Sequence, residues 1–322
     1  MSRSQPGAMS ASGGSSRIVV CEFMDERAVA RLQARHDVLY DPTLVDDAAR
    51  LVREAAAAYA LVVRNRTQVR GELLDALARC KAVGRLGVGL DNIDLEGCKA
   101  RAIEVIPAIG ANALSVAEYV VTCALMLLRG TYLATGAVAA GGWPRAALSN
   151  GHEAAGKTLG LIGFGSIGQA SARLARAIGM RVIAFDAMMD ADHPAFTEQA
   201  VRPAGLDEVI RTADVVSLHV PLVAGTRGLF NAERIASMMP GAVLINSARG
   251  GIVDEIALAA ALRSGHLGGA AIDVFGNEPL PTSAHFVDCP NLILTPHVAG
   301  VSVQSNERVS TLIADKLLEA LH

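Results

Sequence analysis

Three polar side chains, Arg249, Glu278 and His297, each follow a short apolar run that is typical of a buried β-strand. The carboxyl ends of parallel strands meet at one edge of a sheet, so we expect these side chains to lie close together. A guanidinium can hold a carboxylate and polarise a carbonyl, and a Glu beside a His favours the charged imidazolium and orients the ring. The three residues therefore predict proton transfer at a hydroxyl or carbonyl group of a carboxylic acid.

A second histidine leaves an alternative for the base. His219 also follows a strand-like run, at residues 215–218, and it stands shortly before Pro221. Spacing alone does not decide between His219 and His297, because both follow a strand-like run. A single Arg or Glu on a loop is also most often a solvated charge, so the neighbouring Arg249 and Glu278 do not settle the choice. Both histidines therefore remain candidates on the residue pattern.

A glycine-rich turn predicts a nucleotide site. Gly163, Gly165 and Gly168 form a G-x-G-x-x-G motif between a strand-like run at residues 158–162 and a helical pattern. In this motif the first glycine permits a tight turn and the second lets the backbone approach a pyrophosphate. The third glycine lets the helix and the strand pack closely, and the surrounding strand and helix make a merely structural turn the weaker interpretation.

The residues after the turn indicate which dinucleotide binds. The helix begins at Ser166 and Ile167, where free amide N–H groups are expected to bind phosphate. Asp186 ends the next strand-like run, at the distance from Gly168 that the motif requires. Its carboxylate would accept hydrogen bonds from a ribose 2′-hydroxyl and repel a 2′-phosphate, and residues 187–189 offer no cation. The sequence therefore favours NAD over NADP.

The composition restricts the partners. The chain has 322 residues, a formal net charge of −3 and 19% charged residues, without the clustered Lys and Arg that nucleic acid requires. The most apolar stretch, residues 117–128, carries Glu118 and is too short to span a bilayer. Residues 1–16 are rich in Ser and Gly and contain no apolar signal sequence. We therefore predict a disordered tail on a cytoplasmic protein that binds neither nucleic acid nor membrane.

The cysteines predict no metal site and no disulfide framework. They are few and scattered, and no two of them form a C-x-x-C pair. The five are Cys21, Cys80, Cys98, Cys123 and Cys289.

Strand-like and helical patterns alternate in two blocks, which predicts an α/β fold of two doubly wound domains with parallel sheets. The first block has five candidate strands, at residues 18–20, 38–40, 60–63, 82–86 and 104–106. The second has six, at residues 158–162, 182–185, 215–218, 243–246, 270–273 and 292–294. We assign residues 17–107 and 298–322 to a discontinuous, flavodoxin-like substrate-binding domain, and residues 108–297 to a Rossmann NAD-binding domain.

Two helices are expected to be buried against other elements. The helix predicted at residues 114–129 is apolar nearly all round, so it must be buried on several sides. The final helix begins near Asn306 and carries Val309, Ile313 and Leu317 on one face. We expect this face to pack on the first domain, which makes that domain discontinuous.

Jointly, the motifs resemble those of the D-isomer-specific 2-hydroxyacid dehydrogenases over nearly the whole chain from Arg17 onward. This resemblance implies an NAD-dependent interconversion of a 2-hydroxy acid and its 2-keto acid. The stretches that carry it are Gly87–Asp94, Gly163–Gly168, His219–Leu222, Asn246–Gly251, Asp273–Pro279 and Thr295–His297.

The resemblance also implies a role for each site residue. Arg249 would bind the substrate carboxylate and keto oxygen, His297 would be the acid/base, and Glu278 would pair with it. Asp273 would meet the nicotinamide carboxamide, and a homodimer would form through the helix that starts at Leu114. Further contacts to NAD would come from His219, Pro221 and Ala248, and contacts to the substrate carboxylate from the amides of Val88 and Gly89.

One loop predicts the class of substrate. Arg64 and Arg66 could bind a second anionic group on the third carbon of the substrate, and the loop is similar to that of the sulfolactate dehydrogenases of this family. We expect sulfolactate first, 3-phosphoglycerate second, and a hydroxypyruvate or glyoxylate reductase as a further alternative. Two other interpretations stay open, since Arg66 could be solvated or pair with an acid, and the chain could be an NAD-sensing, corepressor-like binding protein.

Overall fold

The computed structural model describes residues 16–282 and 285–321. These residues divide into two compact units, one that runs to Ala111 and resumes at Asn306, and one that comprises Asn112–Ser305. Apart from Ser16, the tail predicted for residues 1–16 lies outside the described residues.

The chain leaves the first unit after Ala111, later than the predicted residue 107. The Ala108 amide donates to the Gly87 carbonyl at 2.9 Å, and the Ala111 carbonyl accepts from Arg308 Nε at 2.9 Å. Residues 108–111 therefore belong to the first unit, because their hydrogen-bond partners lie in it.

The chain returns to the first unit only after Ser305, beyond the predicted residue 297. The amides of Val298 and Ala299 each donate to the Asp273 carboxylate at 2.8 Å. The Ser305 hydroxyl donates to the Gly300 carbonyl at 2.7 Å. These bonds hold residues 298–305 in the second unit.

The first unit is built on five parallel strands, β1 (Arg17–Val20), β2 (Asp37–Tyr40), β3 (Ala60–Val63), β4 (Ala82–Arg85) and β5 (Glu104–Pro107). Its helices are α1 (Glu26–Gln33), α2 (Ala48–Ala55), α3 (Gly71–Ala76) and α4 (Leu95–Ala100), with a short 3-10 helix at Leu44–Asp46. The strand order β2-β1-β3-β4-β5 is the flavodoxin-like order that the sequence predicts. The central strand β3 is buried at every residue, as helices on both faces require.

The second unit begins with helices α5 (Ala113–Arg129) and α6 (Thr135–Ala139), separated by a 3-10 helix at Thr131–Ala134. Its strands are β6 (Thr158–Ile162), β7 (Arg181–Phe185), β8 (Arg202–Pro203), β9 (Val215–Leu218), β10 (Val243–Asn246), β11 (Gly269–Ile272) and β12 (Leu292–Leu294). The helices that follow α6 are α7 (Ser166–Ala177), α8 (Pro194–Glu198), α9 (Leu206–Thr212), α10 (Ala232–Ser237) and α11 (Glu255–Arg263). The order β12-β11-β10-β9-β6-β7-β8 confirms the predicted Rossmann-type sheet.

The count of six strands in this sheet was wrong, because β8 adds a seventh. Strand β8 pairs in parallel with β7, Arg202 opposite Ile183 and Pro203 opposite Ala184. It is only two residues long, and Pro203 has no amide hydrogen for a further partner. So short an edge strand leaves no periodic pattern in the sequence.

Helix α5 is buried on more than one side, as the sequence predicts. Val116, Val120 and Leu127 pack in the same core as β6, while Ala117 packs in a smaller cluster with Ala170 of α7. The side that carries Leu114 and Leu125 is exposed. In the described part of the chain no single helix is long and apolar enough to cross a membrane, and one bent pair, Ala113–Arg129 with Thr131–Ala139, passes that test by length and composition only.

The final helix, α12 (Val303–Ala320), starts slightly earlier than predicted. Val309, Ile313 and Leu317 are buried in a cluster with the apolar residues of β1, as their spacing predicts. Gly84 in β4 allows this contact, since a Cβ at that position would lie 2.7 Å from Ile313 Cγ2. The helix thus completes the core of the first unit.

Candidate active site

The predicted nucleotide turn follows β6 directly. Gly163 has a φ of +96°, and a Cβ there would collide with the backbone of His219. A Cβ at Gly168 would collide with the Gly163 carbonyl, whereas no atom lies within 4 Å of the Cβ position of Gly165. The first and third glycines are therefore required by packing, and the second faces open space that a pyrophosphate could enter.

The start of α7 and the end of β7 complete a surface that fits a dinucleotide. No side chain caps the first turn of α7 at Gly165, so its amide groups remain available to phosphate oxygens. Asp186 accepts hydrogen bonds from the amides of Phe164 at 2.7 Å and Met188 at 2.8 Å. The carboxylate therefore holds the glycine turn, and each of its oxygens keeps a lone pair for a ribose hydroxyl.

Glu278 and His297 form the predicted pair. His297 Nδ1 lies 2.7 Å from Glu278 Oε2, and the Phe275 amide donates to Glu278 Oε1 at 3.0 Å. An ionised carboxylate only accepts hydrogen bonds, so Nδ1 must be the donor. When the ring is neutral, Nε2 therefore carries the lone pair and is the basic atom.

The pKa of Glu278 lies below its ordinary value. Burial acts to raise it, but hydrogen bonds from His297 and Phe275, together with the charges of His297 and Arg249, outweigh burial and lower it. The carboxylate is therefore ionised at neutral pH. The ionised carboxylate stabilises the folded state fully at pH values above the ordinary pKa of a carboxyl group. This stabilisation is lost as the pH falls through the lowered pKa of Glu278.

Arg249 is brought to the same region by the loop after β10. Asn246 Nδ2 donates to the Arg249 carbonyl at 3.0 Å, and Asn246 Oδ1 accepts from the Ala248 amide at 3.1 Å. At Gly250 an added Cβ would overlap the carbonyl of Phe275. The Arg249 loop therefore lies directly against the loop that leads to Glu278, as expected from the adjacency of β10, β11 and β12 in the sheet.

His219, the rival base, follows β9 and lies against the glycine turn. Its backbone contacts the Gly163 turn, and its Nε2 is 3.0 Å from the Ser217 hydroxyl. Burial lowers the pKa of His219 to about 4, so the ring is neutral at pH 7. Its position beside the turn suits the cofactor contact that the family resemblance implies. Among the described residues its ring has no carboxylate partner like that of His297.

Asp273 has a structural role that the sequence does not indicate. It is fully buried, and its carboxylate accepts from the Thr295 hydroxyl at 2.6 Å and from the amides of Val298 and Ala299. It therefore holds the loop that carries His297. Its predicted contact with the nicotinamide carboxamide stays a prediction.

In the first unit, the substrate-loop arginines have different surroundings. Arg66 forms an ion pair with Asp46, and both side chains are more than half exposed. This is the alternative in which Arg66 pairs with an acidic residue. Arg64 is half-buried, donates to Asn306 Oδ1 at 2.8 Å and lies 5.6 Å from the centre of the Phe23 ring. Arg64 is thus held in place, whereas Arg66 sits in an exposed pair of small energetic weight.

A buried carboxylate that sequence reasoning missed shapes this loop. Glu22 accepts from the amides of Arg64 at 2.7 Å, Thr67 at 3.1 Å and Arg66 at 3.3 Å. The sequence indicates Glu22 only as an acidic residue shortly after β1. The predicted contacts of Val88 and Gly89 fall in a half-buried bend after β4, and their role stays a prediction.

Potential metal-binding side chains do not cluster in the part of the chain that the structure describes. Within residues 16–282 and 285–321 no group of three or more His, Cys, Asp or Glu side chains could hold a metal ion. The five cysteines are free thiols, and four of them are buried.

A Rossmann sheet with a dinucleotide turn and a His–Glu–Arg cluster is typical of a nicotinamide-dependent dehydrogenase. Residues 121–299 match the NAD-binding domain of the D-isomer specific 2-hydroxyacid dehydrogenases. The chain belongs to this family. It is accordingly an NAD-dependent oxidoreductase that acts on the hydroxyl group of a 2-hydroxy acid.

Curated relatives agree with this assignment. The chain is 53% identical to an (S)-sulfolactate dehydrogenase of Chromohalobacter salexigens, over 95% of this chain and 98% of the relative. It is 40% identical to a hydroxypyruvate reductase of Thermotoga maritima, over 81% and 84%. It is also 40% identical to a D-3-phosphoglycerate dehydrogenase of Bacillus subtilis, over 81% of this chain but only 49% of that protein.

Solved structures confirm the fold. A crystal structure of a Thermus thermophilus protein superposes with a TM-score of 0.83 at 33% identity, covering 95% of this chain and 96% of the other. A formate dehydrogenase of Staphylococcus aureus in complex with NAD gives 0.80 at 26% identity, covering 94% and 95%. NAD is therefore the cofactor, as the sequence predicts.

Proposed function

We propose that this enzyme oxidises a D-type 2-hydroxy acid with a distal anionic group, and that (S)-sulfolactate is its substrate. The 53% identity to an (S)-sulfolactate dehydrogenase over nearly the full length of both chains carries this choice. The S descriptor suits a D-type enzyme, since the sulfur-bearing carbon outranks the carboxyl group and reverses the descriptor without changing the arrangement in space. 3-Phosphoglycerate is the second candidate, after the Bacillus subtilis relative.

Proton transfer is proposed to run through His297. The observation that carries this role is the 2.7 Å contact between His297 Nδ1 and Glu278 Oε2, which leaves Nε2 to accept the proton of the substrate hydroxyl. Glu278 then stabilises the imidazolium that forms. Arg249 is proposed to bind the substrate carboxylate and to polarise the oxygen at the second carbon, and in the reverse direction His297 returns its proton to that oxygen.

When bound, NAD supplies the hydride acceptor of the oxidation. The glycine turn and the amides at the start of α7 are proposed to hold its pyrophosphate, and Asp186 its ribose. The remaining proposed contacts come from Ser166, Ile167, His219, Pro221, Ala248 and Asp273.

The arginine loop is proposed to set the choice of substrate. Arg64 and Arg66 would bind the sulfonate, and the amides of Val88 and Gly89 the carboxylate. The support is the Glu22 carboxylate, which fixes the backbone of the loop at three amides. The contacts of Arg64 with Phe23 and Asn306 also limit the conformations that its side chain can adopt.

Initial rates of NADH formation at 340 nm test this proposal across both sulfolactate enantiomers, D-lactate, D-glycerate and D-3-phosphoglycerate. We expect kcat/KM to be about 100-fold higher for (S)-sulfolactate than for D-lactate, because each charged hydrogen bond to the sulfonate contributes on the order of 1.5–3 kcal/mol. Arg66→Ala is expected to lower the value for (S)-sulfolactate about tenfold and to leave D-lactate unchanged. Arg101→Ala, which breaks another exposed Arg–Asp pair in the first unit, is the matched control.

Equal turnover of D-lactate and (S)-sulfolactate would refute the distal-anion pocket while leaving the dehydrogenase intact. If the protein oxidises none of these acids although it binds NADH, the alternative of an NAD-sensing, corepressor-like binding protein gains support. The names of the relatives, all dehydrogenases or reductases of this family, favour turnover.

We further propose a homodimer and a cytoplasmic location. The exposed apolar side chains of α5 and of the segment that follows it support an interface between copies, because an interface would remove them from water. They include Leu114, Leu125, Leu133 and Trp143. Free thiols and the use of the intracellular NAD pool support the location.

A further inference from the structure

We propose that Tyr119 and Thr295 are positioning residues for His297, linked to it through a chain of hydrogen bonds that ends at the buried Asp273. The chain runs from the Tyr119 hydroxyl to Thr295 Oγ1 at 2.7 Å, and from Thr295 Oγ1 to Asp273 Oδ1 at 2.6 Å. All four residues belong to the second unit. The inference rests on the acid/base role proposed for His297.

Asp273 fixes the backbone on both sides of the histidine. Its carbonyl accepts the amide of His297 at 2.8 Å, and its carboxylate oxygens accept the next two amides, those of Val298 and Ala299, at 2.8 Å each. Three successive amides are thus bound to one residue. They hold His297 at a φ of +57°, a conformation that residues other than glycine seldom adopt without such support.

The direction of the hydrogen bonds follows from the chemistry of the groups. An ionised carboxylate cannot donate, so the single hydroxyl proton of Thr295 goes to Asp273. Thr295 Oγ1 must then accept the proton of Tyr119. The phenol therefore reinforces the bond from Thr295 to Asp273, since hydrogen bonds in a chain polarise one another.

Burial makes the chain sensitive to the loss of a donor. Asp273 is fully buried, and burial raises the pKa of Tyr119 well above its ordinary value, so the phenol keeps its proton over the range of any assay. Without the Thr295 hydroxyl, a buried carboxylate oxygen loses a donor and the Tyr119 hydroxyl loses its acceptor. The 297–299 loop can then relax, and the distance from His297 to Glu278 is no longer fixed.

Steady-state kinetics of the full chain test the proposal with four variants. Thr295→Val keeps the shape of the side chain and removes its hydroxyl. We expect kcat to fall about 10- to 100-fold, because a displacement of about 1 Å at a catalytic group can cost about 10²-fold in rate. Tyr119→Phe should lower kcat about three- to tenfold, because Thr295 still reaches Asp273. Thr295→Ser restores the hydroxyl and should come within about threefold of wild type. Tyr132→Phe, which removes a hydroxyl bond to Asn291 in the same unit, is the control.

Two readouts separate positioning from a general structural effect. The acid limb of the kcat/KM profile should shift in Thr295→Val and return to its wild-type position in Thr295→Ser. The Kd of NADH, measured by its fluorescence, should change by less than about threefold, because the amides of α7 and Asp186 are untouched.

Wild-type kcat and pH profile in Thr295→Val would overturn the proposal, as would a serine variant as impaired as the valine variant. A loss of rate explained wholly by weaker NADH binding would overturn it as well. His297→Ala distinguishes the two levels of the account, since an inactive His297→Ala beside a normal Thr295→Val refutes the positioning residues alone. A fully active His297→Ala refutes the proposed function itself.

Discussion

His297→Ala is expected to lower kcat by about 10³- to 10⁴-fold, the upper range for the loss of a general base. The variant has no Nε2 lone pair to take the hydroxyl proton, and Glu278 loses the ring that it orients at 2.7 Å. The Kd of NADH should change little, because the glycine turn and Asp186 lie on other strands of the sheet. NADH formation at 340 nm and a fluorescence titration with NADH measure the two quantities.

A second histidine provides the control for this variant. His266 Nε2 lies 3.1 Å from the Ile235 carbonyl in the same unit, so His266→Ala also removes an imidazole and one hydrogen bond. We expect its kcat to stay within about twofold of wild type. A His297→Ala enzyme with wild-type kcat would contradict the acid/base assignment, and the search for the base would have to return to His219.

Gly250→Ala is expected to lower kcat/KM by about 10²-fold or more. A Cβ at this position overlaps the Phe275 carbonyl, and backbone on one side of the contact must move to make room. The movement separates Arg249 from Glu278, and displacements of about 1 Å at such sites can cost 10²-fold in rate. Kinetics on the best acid of the panel, with thermal unfolding followed in parallel, measure the effect.

Gly225→Ala is the matched control for this glycine. No atom lies within 4 Å of its Cβ position, so alanine fits there without displacement. Its activity should be unchanged and its stability equal or slightly higher, because alanine restricts the unfolded chain. If Gly250→Ala behaves like Gly225→Ala, the two loops are not held together by close backbone contact and the account of Arg249 is wrong.

The sequence predicts the fold well where apolar runs are continuous. Strands β3, β6, β9 and β10 have the predicted bounds, because a parallel strand buried on both faces needs an unbroken apolar run. The half-buried edge strand β12 also has the predicted bounds. Strand β8 was missed because its two residues owe their conformation to pairing with β7 rather than to a local pattern. The sequence also does not show which side of α5 is exposed, since an apolar side chain in a sequence does not say what covers it.

The candidate site likewise contains some residues that the sequence predicts and others that it does not. Strand ends and the glycine motif indicate Arg249, Glu278, His297 and Asp186, because the carboxyl edge of a parallel sheet is a consequence of topology. The supporting residues come from contacts between distant segments. Tyr119 lies 176 residues from Thr295, and the Glu22 carboxylate binds amides more than 40 residues away. No local spacing predicts such partners.

The dependence of kcat/KM on pH in wild type and Glu278→Gln tests most directly whether the His297–Glu278 pair transfers the proton of the hydroxy acid. The lowered pKa of Glu278 keeps its carboxylate ionised through the neutral range, so the variant removes a negative charge beside the imidazolium. We expect the acid limb of the oxidation profile to move to lower pH, because the uncharged ring then persists further into acid. The plateau should also fall about 10- to 100-fold as the ring loses its orientation. Glu208→Gln, which breaks an exposed pair with Arg202, should leave the profile unchanged. Superimposable profiles for wild type and Glu278→Gln would contradict the account.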